Sequence, residues 1–371
     1  MTSLAAFSVV IWIFLLTAHG RFWQAGPVLL PAMPANTPDV AVVVPARDEA
    51  ESIAQSLGSL LAQDYAGNFR VILVDDGSRD GTGAIARGLE NPRLTVLTGS
   101  PRPAGWNGKL WAVAQGVAAS GGAPLVLLTD ADIVHDPRHL STLVAQAERA
   151  DLDMVSEMVA LRCESWAERA LVPAFVFFFQ LLYPFARVND SLCATAAAAG
   201  GTILIHRRAL TRIGGIEAVR GALIDDVALA RAVKTGGKIW LGHSALARSV
   251  RPYPAVVDIW RMISRNAYTQ LRHSPVLLLV TVLGMAVVWL VPPIFTLFGD
   301  GLTRWLGLMA WVLAGASYWP TLKRFERSPI WTVLLPAIAA FYTAATIGSA
   351  IDHISGRGAI WKNRAYGGLG A

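Results

Sequence analysis

Twelve residues, Val71-Ile-Leu-Val-Asp-Asp-Gly-Ser-Arg-Asp-Gly-Thr82, restrict the fold of this chain more than any other stretch. Four apolar residues run straight into two carboxylates and a glycine turn, which reads as a strand buried on both faces that delivers acid groups to one edge of a sheet. Leu125-Val-Leu-Leu-Thr-Asp-Ala-Asp132 repeats the design, with Asp130 and Asp132 two residues apart. In an open parallel sheet, ligands bind outside the carboxyl ends of the strands, so both acidic pairs are expected to face one pocket. Asp-x-Asp offers two hard oxygen ligands, a set that suits a divalent cation such as Mg²⁺ or Mn²⁺ holding a diphosphate better than it suits zinc.

The flanking sequence continues the alternation. Residues 39–45 read as a buried strand and 49–65 as a helix with Ile53, Leu57, Leu60 and Leu61 on one face. A helix near 80–90, a strand at 94–97, a helix from 109 to 119 and a helix from 137 to 150 follow. Strand and helix in turn predict an α/β fold with a doubly wound, mostly parallel sheet. Farther on, Gly200-Gly-Thr-Ile-Leu-Ile205 reads as a strand, and Asp225-Asp226 opens a helix whose N-terminal end favours anions. Asp225 is there either a plain N-cap or, with Asp226, a catalytic acid or base. Asp75 and Asp76 have the alternative of an Asx-turn before Gly77, and Asp130 and Asp132 that of capping the next helix.

Composition bears on what surrounds this unit. Hydrophobic residues make up 54% of the 371 and charged ones 16%, a balance that membrane segments explain most simply. The 13 Trp residues, many beside apolar runs, fit interfacial belts. Leu4–Ala18 is fifteen residues without a charge and is followed by Arg21, so residues 1–24 are expected to be a transmembrane anchor with the rest of the chain cytoplasmic. A signal peptide or a core helix are the alternatives. Residues 25–37, rich in proline, read as a linker, and 276–355 as C-terminal transmembrane helices, with apolar runs near 276–298, 303–320 and 330–351. Within the globular stretch, 165–187 is expected to lie as an interfacial helix, a core helix being the alternative. The net charge of +6 is spread thinly, without the dense basic block of a nucleic-acid surface, so nucleic acid is not an expected partner. Cys163 and Cys193 lack metal or redox spacing and are expected to be reduced.

With those motifs placed, their order over residues 38–275 resembles family 2 glycosyltransferases of GT-A fold. Five pieces carry the likeness: Pro45-Ala-Arg-Asp-Glu49, Asp75-Asp-Gly-Ser78, Gly108-Lys109, Asp130-Ala-Asp132 and Asp225-Asp226. More narrowly, Gly105–Gly116, Leu161–Arg169, Gly221–Arg231 and the tail Trp361-Lys-Asn-Arg-Ala-Tyr366 are similar to the hopene-associated glycosyltransferases. The resemblance implies a nucleotide-diphosphate sugar donor held by Pro45, Arg47, Glu49, Asp76, Lys109 and Asp130. It implies a divalent cation on Asp132 with Asp130, Asp226 as general base beside Asp225, and inversion at the sugar carbon. Trp260-Arg-Met-Ile-Ser-Arg-Asn266 stands where the family often has Gln-x-x-Arg-Trp, which leaves Arg265 as a diphosphate ligand and makes a processive polymerase less expected. The implied acceptor is a lipid, a hopanoid hydroxyl first, with polyprenyl phosphate, sphingolipid-like or diacylglycerol lipids as competitors, and the implied location is the inner (plasma) membrane.

Other classes fit worse. Gly108-Lys109 is followed by Leu110 and lacks the spacing of a P-loop, the first strand lacks Gly-x-Gly-x-x-Gly, and no His-Glu-x-x-His is present. A catalytically silent membrane scaffold on the same fold is the non-enzyme alternative. Clustered carboxylates argue against it, because they cost stability unless a ligand uses them.

Overall fold

Val40–Ala46 forms β1, fully buried along its length, and it pairs in parallel with β2 (Phe69–Asp75) on one side and β4 (Leu125–Thr129) on the other. β3 (Leu94–Thr98) extends the parallel set beyond β2. Side chains alternate across these strands. Val40, Val42 and Val44 face a core closed by Ile53, Leu57 and Leu60 of helix Ile53–Leu61 and by Leu140, Leu143 and Val144 of helix His139–Arg149. Ala41, Ile72 and Val74 face Ala112 of helix Gly108–Ala118 on the opposite side. That helix lies close because Gly116 has no side chain: a Cβ there would come within 2.4 Å of Val43.

The sheet holds eight strands in the order β3-β2-β1-β4-β7-β6-β8-β5, where β5 is Ile133–His135, β6 Met154–Ala160, β7 Thr202–His206 and β8 Ile239–Ser249. Its far half departs from strict alternation. β7 runs antiparallel to both β4 and β6, and β5 antiparallel to β8, while β6 and β8 are parallel. The physical reason is the route of the chain: after β6 it leaves the unit at Arg162 and returns at Arg187, so no helical crossover imposes a parallel return. The architecture is a GT-A-like mixed sheet flanked by helices.

The structure, a computed structural model, describes residues 1–356 and the backbone of Ala359–Trp361 and Arg364–Tyr366; the basic tail expected at 356–371 otherwise lies outside the described residues. Two compact units share the chain: an α/β unit of 27–162 and 187–252, and a helical unit of 1–26, 163–186 and 253 onward. This division differs from a continuous catalytic stretch at 38–275. The expected linker already belongs to the α/β unit from Pro27, since Leu29 donates its N–H to His243 O at 2.7 Å and the amides of Ala35 and Asn36 meet Glu148.

In the helical unit, Trp166–Leu182 starts at a capping box, Ser165 with Glu168, and runs through Pro173. Most of it is packed, with Phe177 against Phe22, Trp289 and Tyr318 at 5.6, 6.0 and 5.1 Å between ring centres. Val256–Gln270, Gly301–Arg324 and Trp331–Ile354 are further helices. Pro275–Met285 and Val291–Phe298 are joined by a π-turn at Ala286–Leu290, which accommodates the prolines at 292 and 293 that break the regular ladder. By length and composition, two helices among the described residues are able to cross a membrane, Pro275–Phe298 and Trp331–Ile354; Thr2–Ala18 is a shorter apolar helix.

Candidate active site

Lys109 gathers the first cluster. Asn107 caps helix Gly108–Ala118 by accepting the Lys109 N–H at 2.9 Å, and its own amide and side-chain nitrogen donate to Arg220 O at 2.7 Å and Ala222 O at 3.1 Å. The helix start is thus tied to the loop that leads into helix Asp225–Lys234. Lys109 Nζ lies 2.8 Å from Asp130 Oδ1, just past the end of β4, and 3.3 Å from Asp225 Oδ2. Asp226 accepts the Gly200 N–H on Oδ2 at 2.9 Å and the Val227 N–H on Oδ1 at 2.8 Å. Gly200 approaches this closely because it lacks a Cβ, which would stand 3.3 Å from Asp226 Oδ2 and 3.5 Å from Lys109 Nζ. Pro45, Lys109, Asp130, Gly200, Asp225 and Asp226 line one small cavity.

Electrostatics separate these groups. Burial, with the neighbouring Asp225 adding to it, pushes the Asp226 carboxyl up to about 7. Asp130 is also raised, by burial first and then by Asp132 and Asp225, against the pull of Lys109. Burial alone would lower the Lys109 ammonium, but Asp130 and Asp225 override it and hold it above its ordinary value. The lysine stays charged, and Asp226 is a carboxyl able to exchange a proton near neutrality.

Asp132 turns to a second cluster. Its Oδ2 accepts from Arg251 Nε at 2.9 Å and from the Ser249 hydroxyl at 3.1 Å, and Arg251 Nη2 reaches Glu49 Oε1 at 2.6 Å. Arg251, just beyond β8, therefore bridges two of the expected site residues. A third group forms past β1 and β2, whose register puts Ala46 opposite Asp75. Arg47 is buried and donates Nη1 to Asp76 O, with Asp76 Oδ2 at 3.7 Å. Asp75 Oδ1 accepts the Ser78 N–H at 2.9 Å around Gly77, whose φ of +69° favours glycine.

Each expected aspartate can thus be given a local role. Asp75 Oδ1 ties the loop through the Ser78 N–H three residues on, one residue longer than an Asx-turn. Asp130 and Asp132 do not cap a helix, since the next one begins at His139. Asp225 is not an N-cap either: Ile224 holds that position, and Asp225 and Asp226 lie in the first turn, where the helix dipole favours carboxylates. Arg265 lies on Val256–Gln270 of the helical unit. Arg251, Asn107 and Gly200 were not singled out from the sequence as site residues. Only Asn107, before Gly-Lys, carried a readable signal, that of an N-cap.

Carboxylates outnumber cations in these clusters. Glu49, Asp130, Asp132, Asp225 and Asp226 are matched by Lys109 and Arg251, an excess that a divalent cation would offset. Among the described residues, no three His, Cys, Asp or Glu are grouped so as to hold a metal alone. The donor set nevertheless fits Mg²⁺ or Mn²⁺, which accept one or two carboxylates and complete their shell with phosphate oxygens and water. The same arrangement offers a raised carboxyl to take a proton and a lysine at a helix start to meet an anion.

Residues 41–214 match glycosyl transferase family 2. An N-acetylglucosaminyltransferase of Bradyrhizobium elkanii is 32% identical over 149 residues, 38% of this chain and 75% of that protein. A dodecaprenyl-phosphate galacturonate synthase of Rhizobium johnstonii is 28% identical over 127 residues, 33% of this chain and 36% of that protein. Apart from the Bradyrhizobium protein, the aligned stretch spans 9% to 40% of the length of the curated relatives it matches. Among solved structures, the mannosyltransferase PcManGT from Pyrobaculum calidifontis, in complex with GDP-Man and Mn²⁺, aligns with a TM-score of 0.58 at 18% identity, over 95% of this chain and 98% of that one.

Proposed function

The chain belongs to glycosyl transferase family 2, and from that premise we propose that it moves a sugar from a nucleotide-diphosphate donor to a lipid acceptor at a membrane, with inversion at the sugar carbon. The observation that carries this reading is the meeting of Lys109, Asp130, Asp225 and Asp226 at the carboxyl end of β4. Asp226 is the general base: backbone N–H groups of Gly200 and Val227 fix its orientation, and above neutrality it is a free carboxylate able to take the acceptor proton. Lys109 keeps Asp130 and Asp225 compensated and offers its charge to the donor phosphates. Pro45, Arg47, Glu49 and Asp76 form the nucleoside side of the site, with Asp76 toward the base. Asp132 and Asp130 would hold Mg²⁺ or Mn²⁺, which when bound supplies Lewis-acid stabilisation of the departing diphosphate. Arg251, which holds Asp132 through Nε, has a planar fork suited to a phosphate oxygen and would be placed to meet one.

Membrane attachment is part of the proposal. Pro275–Phe298 exposes Val276, Leu279, Val280 and Leu283 by 57–70%, an apolar face suited to lipid. Lys323 and Arg324 in the last turn of Gly301–Arg324, with Arg327 just after it, favour a cytoplasmic end, so the proposed location is the inner membrane, multi-pass, with the α/β unit in the cytoplasm. The name of the Rhizobium relative favours a polyprenyl phosphate as acceptor, and the narrower sequence resemblance a hopanoid hydroxyl. UDP-sugars are the donors proposed first.

Membranes containing the protein, incubated with host lipid extract and a panel of labelled UDP- and GDP-sugars in Mg²⁺ or Mn²⁺, are expected to yield one labelled lipid whose mass identifies sugar and acceptor together. No labelled lipid with any donor and either cation would point instead to the silent scaffold.

A further inference from the structure

A chain of buried polar side chains runs beneath the site. Glu157 on β6 and His139 at the start of its helix are both 0% exposed, His135 4% and Thr129 2%. Glu157 Oε1 lies 2.6 Å from His139 Nε2, His139 Nδ1 2.9 Å from His135 Nδ1, and His135 Nε2 3.2 Å from Thr129 Oγ1. Thr129 Oγ1 ends the chain 2.8 Å from Gly201 O. Two histidines and a glutamate inside an apolar core are costly to place there without such bonds, and Glu157 Oε2 is left without a hydrogen-bond partner among the described residues.

The hydrogens along it can be assigned from the far end. A carbonyl only accepts, so Thr129 spends its one hydroxyl proton on Gly201 and must accept from His135 Nε2–H. Burial and the neighbouring His139 hold His135 well below its ordinary value, so its ring is neutral and its Nδ1 bare. His139 must then donate from Nδ1. One proton remains for the bond between His139 Nε2 and Glu157 Oε1. Every bond after it points toward Gly201.

The end point matters because of its neighbours. Thr129 precedes Asp130, whose N–H also faces Gly201 O at 3.4 Å, and Gly201 follows Gly200, whose N–H holds Asp226. We propose that Glu157, His139, His135 and Thr129 form a one-way hydrogen-bond chain that positions the Asp130 and Gly200 backbone, with His135 fixed as its Nε2–H tautomer and His139 carrying its proton on Nδ1. They are positioning residues and touch no reacting atom. The inference rests on the transfer reading above only for the purpose that the positioning serves.

Long-range ¹H–¹⁵N correlation spectra of the full chain in detergent micelles, labelled at histidine and assigned with His135→Gln and His139→Gln, test the tautomers without any substrate. His135 protonated on Nδ1, or His139 with a bare Nδ1, overturns the chain whatever the activity. In turnover assays, Glu157→Leu and Thr129→Val are expected to lower kcat about tenfold with donor KM little changed, and Glu157→Gln, whose amide can donate to His139 Nε2, to recover most of that loss. Amide exchange across 198–203 reads the same variants without substrate: faster in Glu157→Leu and Thr129→Val, restored in Glu157→Gln. Leu and Val variants that match the wild type in both rate and exchange overturn the positioning role. Correct tautomers and exchange in a protein that transfers no sugar support the chain and contradict the transfer reading.

Discussion

Asp226→Asn is expected to lower the rate of sugar transfer by about 10²–10⁴-fold and to leave the protein folded and able to bind nucleotide. The carboxyl is replaced by an amide of equal size that can still accept from Gly200 or Val227 through its oxygen, so the site keeps its shape and loses its base. The pH dependence carries the same signature. Because Asp226 titrates near 7 in the folded chain, kcat/KM in the wild type rises with pH up to about 7 and then levels, whereas the residual rate of the Asn variant lacks that limb. Stability moves the other way. A carboxyl raised above its unfolded value favours folding fully below pH ~4 and loses that contribution as pH rises through about 7. The Asn variant has no charge to bury, so at pH 8 it is expected to be at least as resistant to denaturant as the wild type. Near-normal turnover of purified Asp226→Asn would remove the base assignment.

Lys109→Met is expected to cost stability as well as activity, by about 2–3 kcal/mol at pH 8, because Asp130 and Asp225 are left partly buried without their shared cation. The sign of its pH dependence follows from the same groups. Lys109 is raised in the folded chain, so its contribution is present throughout the range below its ordinary value. Asp130 and Asp226 are already raised, and without the ammonium they rise further. As pH falls through about 7, Asp226 takes up its proton and no longer needs a counter-charge. The deficit between wild type and variant, measured by denaturant titration, therefore shrinks on acidification. A deficit that is equal at pH 8 and 5.5 would mean that Lys109 acts through packing alone.

What the sequence disclosed depended on how each strand is buried. β1, β2 and β4 are covered on both faces, so their apolar runs are continuous and the acids at their ends stand out. β6, Met-Val-Ser-Glu-Met-Val-Ala, is buried along most of its length too, but Ser156 and Glu157 interrupt its pattern, and only the structure gives Glu157 its partner, His139. β8 is hidden in the same way by His243, Ser244 and Arg248. Arg251 follows β8, so its bridge between Glu49 and Asp132 joins residues 202 and 119 positions away, a pairing that no local pattern encodes. The acid pairs themselves were legible, but their partners were not: Asp-x-Asp reads as one unit in the sequence, whereas in the fold Asp130 turns to Lys109 and Asp132 to Arg251. The helical insertion at 163–186 was visible as an apolar stretch, and its membership in the helical unit depends on contacts far along the chain.

The central claim is that these acid groups form a cation-assisted diphosphate site, and calorimetric titration of the purified protein with uridine and guanosine diphosphate, with and without Mn²⁺, tests it most directly. The account predicts that Mn²⁺ tightens binding of at least one nucleotide by about tenfold or more, and that Asp132→Asn abolishes this gain. Binding that ignores both Mn²⁺ and the substitution, or no binding of either nucleotide, would contradict it.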